Sequence, residues 1–180
     1  MNIVFGGSFN PPTKAHIEIL DLLNKEFKPE NILVIPTGDS YTWKNITPFK
    51  YRYEMAKLAF KNYKVLPLEQ EDKYRGTINT LRYLSKEYSN LYFCMGADNI
   101  VHIKEWIEYE ALLNEFNFIV IKRSNIDVLG FINENLAKYK DKFIVFEYNN
   151  DISATEFRIK KDKKLVNDDI YAYIISNHLY

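Results

Sequence analysis

The stretch VFGGSFNPPTKAH, residues 4–16, decides how the chain is read. It closes the first apolar run, turns on Gly6 and Gly7, stiffens at Pro11 and Pro12, and enters a helix-forming segment through Thr13. Glycines directly after a strand let the backbone turn sharply and let a ligand approach the main chain. Thr13 is a good N-cap, and the N–H groups of a first helical turn, with the helix dipole behind them, favour an anion. His16 shares the helical face of Thr13, and its side chain leans back toward the same terminus. Two readings follow: a plain strand-turn-helix connection, or a phosphate cradle with two polar side chains aimed into it. The stretch has neither the Gly-Lys-Ser/Thr of a Walker loop nor the Gly-x-Gly-x-x-Gly of a dinucleotide loop.

Outward from this loop, apolar runs of strand length alternate with stretches of helix length. Strands are expected at 2–5, 31–36, 63–68, 91–96, 116–122 and 143–148, most of them lacking clean alternation and so buried on both faces. Helices are expected at 13–27, 47–62, 77–88, 99–114 with a break, 128–140, 153–160 and 167–178, with Thr47 as N-cap and Pro48 at the first helical position of the second. This order predicts an α/β fold, a Rossmann-like, doubly wound, mostly parallel sheet of five to six strands with helices on both faces. Ligands of such sheets bind outside the carboxyl ends of the strands, so the loops there are the ones that matter.

Bulk properties narrow the function. A length of 180 residues with 47% hydrophobic composition fits a single domain, 1–180. The 24 basic and 24 acidic residues cancel, which argues against a nucleic-acid or membrane partner. The opening residues form no signal peptide or membrane span, so a cytoplasmic protein is expected. The one cysteine, Cys94, lies in the apolar run LYFCMG and reads as a small buried hydrophobe. The three histidines lack metal-ligand spacing, so no protein-held metal is expected, and KKDKK at 160–164 reads as a solvated surface run.

A second candidate motif, ISATEFR at 152–158, follows the last strand. Ser153 and Glu156 have the spacing of a capping box. Arg158 does not fit that explanation, because a cation early in a helix opposes the dipole unless an anionic ligand is present.

GGSFNPPTKAH resembles the first signature of the nucleotidyltransferase superfamily, a Gly-Ser-Phe-Asp/Asn-Pro loop followed by His/Thr-x-Gly-His, with Ala15 standing where glycine is usual. ISATEFR resembles the second, Ile-Ser-x-Thr-x-x-Arg. The resemblance implies ATP contacts from Gly6, Gly7, Ser8, Phe9, Thr13, His16, Asp98, Ile152, Ser153, Thr155 and Arg158. Catalytic parts fall to His16, Thr13, Arg158 and Lys44. The helices of about 153–180 would complete the ATP site.

YRGTINTL at 74–81 and FCMGADNIVHIKEWIEYEALL at 93–113 are similar to segments of the nicotinate mononucleotide adenylyltransferase group, with Asn79 where aspartate is usual. That similarity implies Asn10, Lys44, Thr77 and Trp106 as binding residues for a pyridine mononucleotide. Asp98 as a helix cap and Trp106 as core remain the plain alternatives. The loop 37–45 lacks the Pro-Pro-His-Lys of the bacterial enzymes, and Arg52 matches an arginine of the same pattern, though a solvated helix face explains it nearly as well. The implied reaction is adenylyl transfer from ATP, accompanied by Mg²⁺, to nicotinic acid mononucleotide. Alternatives are nicotinamide mononucleotide as acceptor, another adenylyl- or cytidylyltransferase such as pantetheine-phosphate adenylyltransferase, or a silent nucleotide sensor.

Overall fold

A computed structural model describes residues 1–40, 46–70, 76–122, 126–148 and 152–180. The strands are β1 (Asn2–Gly7), β2 (Asn31–Pro36), β3 (Lys64–Val65), β4 (Leu91–Gly96), β5 (Asn117–Lys122) and β6 (Phe143–Glu147). The helices are α1 (Lys14–Phe27), α2 (Phe49–Ala59), α3 (Thr77–Leu84), α4 (Ala97–Ile100), α5 (Tyr109–Glu115), α6 (Val128–Asn135), α7 (Ala154–Lys160) and α8 (Asp168–Ser176). The sheet order is β3-β2-β1-β4-β5-β6, the doubly wound Rossmann order, and every pairing with a described register is parallel. Four inner strands are buried along most of their length, as unalternating apolar runs require, while β3 and β6 are only partly covered.

Where the elements depart from expectation, a local reason is visible. The strand expected at 63–68 shrinks to Lys64–Val65. Leu66 N–H still reaches the Val34 carbonyl at 2.9 Å, but Pro67 has no N–H to continue the ladder. The helix expected at 99–114 breaks into α4, a 3-10 turn at Ile103–Glu105, and α5, which Glu108 introduces at φ 50°. The helix expected to run to 140 stops at Asn135 and gives way to a 3-10 segment, Ala137–Lys142.

The chain divides into two compact units, Met1–Phe5 with Arg75–Asn150, and Gly6–Tyr74 with Asp151–Tyr180. In the first, Cys94 is fully buried and free, and burial pushes its thiol pKa well up, which suits an inert packing role. In the second, α1 buries Ala15, Ile19, Leu20 and Leu23, and α2 buries Phe49, Arg52, Met55, Ala56 and Ala59. Among the described residues no helix is long and apolar enough to cross a membrane.

Candidate active site

The first loop belongs to the second unit, and its strain lies on an unexpected residue. Gly6 and Gly7 do not take positive φ; Phe9 does, at 45°. A bulky side chain there costs on the order of 1–3 kcal/mol and persists only where its surroundings enforce it. Phe9 is 1% exposed, with its ring edge-on to Phe60 at 5.1 Å and to His16 at 5.5 Å. Gly7 is explained by the same ring, since a Cβ there would lie 2.9 Å from Phe9 Cε1. The second glycine therefore admits a protein side chain, and that side chain braces the histidine.

Thr13 is the N-cap of α1, and with His16 it forms a capping box in which histidine takes the place usually held by Glu or Gln. The Thr13 N–H donates to His16 Nδ1 at 3.0 Å, and the Thr13 hydroxyl lies 2.8 Å from the same nitrogen. A backbone N–H can only donate, so Nδ1 is an acceptor and neutral His16 carries its ring proton on Nε2. Thr13 is fully buried and His16 half-buried. Ala15 is also fully buried, so its methyl lies within the packing of α1.

At the other end of the chain, Ser153 caps α7, its hydroxyl accepting the Glu156 N–H at 3.1 Å. Only this half of the expected capping box is found, and Glu156 Oε1 instead accepts from Lys160 at 2.8 Å. Arg158 Nη1 donates to the Asn10 carbonyl at 2.7 Å and Nη2 to Thr155 Oγ1 at 2.9 Å. The two sequence motifs are thus joined directly, 148 residues apart. Thr155 is exposed, while Ile152, Ser153 and Arg158 are half-buried.

Arg52 corrects the sequence reading most sharply. It does not lie on a solvated face; it is 0% exposed, on the buried side of α2. Its Nε donates to the Thr47 carbonyl at 2.6 Å, Nη1 to the Ser8 carbonyl at 2.9 Å, and Nη2 to Asp39 Oδ1 at 2.9 Å. Burial pushes its pKa down, and the bond and charge of Asp39 pull it back. Asp39 Oδ2 also accepts the Phe49 N–H at 2.9 Å. Asp39 thereby takes over the start of α2, whose N-cap is Pro48 rather than Thr47. The backbone of Thr47 serves the loop instead, its N–H reaching Asn10 Oδ1 at 3.2 Å.

The first unit holds Thr77, Asp98 and Trp106. Thr77 opens α3 behind Gly76, whose φ of 82° suits glycine and whose added Cβ would meet Ile107 Cβ at 2.9 Å. Trp106 is half-buried, its ring edge-on to Phe93 at 6.0 Å. Asp98, exposed in the first turn of α4, sets its carboxylate over the backbone of Gly96. Lys44, with Tyr41 and Trp43 of the same loop, lies outside the described residues. Among those described, no three His, Cys, Asp or Glu side chains gather into a cation cage.

A doubly wound parallel sheet, with a histidine fixed at a helix N-cap and an arginine tied to the same loop from a distant motif, is the frame of a nucleotidyltransferase. The chain belongs to the cytidylyltransferase-like family, whose model matches residues 4–160. Within that family its similarity is to nicotinate-nucleotide adenylyltransferases. A relative from Acholeplasma laidlawii named "Probable nicotinate-nucleotide adenylyltransferase" is 37% identical over 186 residues, which span 100% of this chain and 97% of that protein. A protein of the same name from Endomicrobium trichonymphae is 32% identical over 195 residues, 98% of this chain and 97% of its own. Among solved structures, the Plasmodium falciparum nicotinic acid mononucleotide adenylyltransferase complexed with NaAD matches at TM-score 0.81 and 26% identity, covering 99% of this chain and 96% of that one.

Proposed function

We propose that the protein transfers the adenylyl group of ATP to nicotinic acid mononucleotide, giving nicotinic acid adenine dinucleotide and pyrophosphate in the cytoplasm. The observation that carries this reading is the pairing of Thr13 with His16, which leaves Nε2–H as the donor edge of a histidine at a helix N-terminus. The names of the similar proteins supply the substrates. An oxygen of the mononucleotide 5′-phosphate attacks the α-phosphorus in line as the bond to the bridging oxygen breaks, and pyrophosphate leaves with both electrons of that bond. No protein nucleophile is required, so catalysis rests on positioning and on stabilising charge that spreads over phosphate oxygens.

In this scheme His16 donates to the phosphates and Thr13 holds its ring. Arg158, Lys44, Ser153 and Thr155 hold the departing pyrophosphate, with the backbone of Gly6, Gly7, Ser8 and Phe9 around the nucleotide. Ile152, the first residue of the second motif, and Asp98 contact the nucleotide. Mg²⁺ accompanying ATP would be held by phosphate oxygens and water and would offset phosphate charge. The chain acts as a single nucleotidyltransferase domain over 1–180, its ATP site completed by the helices of 153–180.

The pyridine ring is assigned to Thr77 and Trp106, with Asn10 toward the mononucleotide. Stacking on an aromatic side chain is worth about 1–3 kcal/mol. Trp106→Ala is therefore expected to raise the KM for the mononucleotide about tenfold while the KM for ATP stays within twofold. If both constants move together with the unfolding midpoint, Trp106 is core. The reaction itself is tested by kcat/KM for nicotinate and nicotinamide mononucleotides with ATP, beside pantetheine phosphate and CTP. Highest kcat/KM with nicotinate mononucleotide and ATP supports the proposal, and nucleotide binding without turnover of any pair removes it.

A further inference from the structure

Asn10 is 3% exposed and receives three hydrogen bonds from three separate segments of its unit. Arg158 donates to its carbonyl at 2.7 Å, the Thr47 N–H to Oδ1 at 3.2 Å, and the Tyr180 hydroxyl to the same Oδ1 at 2.8 Å. Both lone pairs of the amide oxygen are thereby filled. The Tyr180 ring is seated on α7 on both sides of Arg158 in sequence. It lies edge-on to Phe157 at 6.1 Å, and Lys161 Nζ stands over it at 5.5 Å from the centroid. Tyr180 therefore touches both pieces that Arg158 joins, α7 by its ring and the first loop by its hydroxyl. Burial pushes the phenol pKa up to about 12, with Thr47, Arg158 and Arg52 pulling it back, so the hydroxyl stays a protonated donor at neutral pH.

The geometry points to Tyr180 as a positioning residue that pins α7 to the first loop through Asn10, so that Arg158 is held in register for the pyrophosphate portion of ATP. Arg158 alone cannot do this during the reaction. When its guanidinium turns to phosphate oxygens it gives up some of its bonds to Asn10 and Thr155, and the Tyr180 bond is the tie that does not depend on it. The inference rests on the adenylyl-transfer reading for the identity of the anion, but its effect on anion binding is measurable without turnover.

Tyr180→Phe keeps the ring on Phe157 and removes one oxygen. Calorimetric titration of the full chain with inorganic pyrophosphate alone is expected to give a Kd about three- to tenfold weaker than wild type, the range of one lost hydrogen bond. The KM for ATP should rise by a similar factor, with the KM for the mononucleotide within twofold and the unfolding midpoint close to wild type. In an Arg158→Ala background, Tyr180→Phe should add less than twofold, because Tyr180 acts on pyrophosphate by positioning Arg158. A wild-type Kd for pyrophosphate in Tyr180→Phe overturns the inference. So does the same loss repeated in full on Arg158→Ala, or a parallel decline of every constant with stability. Should wild type bind pyrophosphate yet turn over no substrate pair, the functional reading fails while the pinning role is still decided by the titrations.

Discussion

His16→Ala is expected to lower kcat by about 10²–10³-fold, a barrier increase of about 2.7–4 kcal/mol by analogy with loss of one oxyanion donor. The chain should remain folded. The histidine is half-buried, outside the core that α1 buries through Ala15, Ile19, Leu20 and Leu23. Its loss leaves the Thr13 N–H and hydroxyl without their shared acceptor, a capping defect of about 1 kcal/mol. The change should therefore be a large loss of rate with a small shift in unfolding midpoint, read from initial rates at saturating ATP and mononucleotide beside a thermal melt. Near-normal turnover in the folded variant would remove His16 from the chemistry.

Arg52→Ala is expected to act in the opposite proportion, with stability as the main loss. Three acceptors, the Ser8 and Thr47 carbonyls and Asp39, lose their donor at once, and a fully buried long side chain leaves a cavity. The Asp39 side chain is 41% exposed and can return to water, so most of the cost comes from the carbonyls and the void. The two carbonyls left without a donor cost about 1–3 kcal/mol each, so a loss of about 2–6 kcal/mol is expected. Urea unfolding should show it as a lower midpoint at unchanged slope. A change below about 1 kcal/mol would mean that the loop does not depend on the guanidinium. Activity should fall as well, because the Ser8 carbonyl anchors the loop that carries Asn10 and Thr13.

Arg52 also illustrates how far the sequence could be read. The helix was legible, and so was its apolar stripe: Phe49, Ala56 and Ala59 recur at helical spacing, and Arg52 falls on the same line. A charge on that stripe was the available sign of burial, and the separate habit of arginine to sit in water obscured it. The positions of the strands, the cap at Thr13, the Ser153 cap and the burial of Cys94 were legible because each follows from local periodicity, turn chemistry or an apolar neighbourhood. The reason for Gly7 was not, because it depends on where the Phe9 ring returns in space. Tyr180 had no local mark at all; it is one of 14 tyrosines, and only the bond to Asn10, 170 positions away, distinguishes it. The joining of the two phosphate motifs was suggested by their resemblance to one family, but the Arg158 bond to the Asn10 carbonyl required the fold.

The central claim is that this chain builds a dinucleotide from ATP and nicotinic acid mononucleotide with His16 in the phosphate site. Its most direct test is to incubate wild type and His16→Ala with both substrates and measure pyrophosphate and dinucleotide together. The account predicts equimolar nicotinic acid adenine dinucleotide and pyrophosphate from wild type, with both reduced at least a hundredfold in the variant. Pyrophosphate without dinucleotide, or equal dinucleotide from the two proteins, would contradict it.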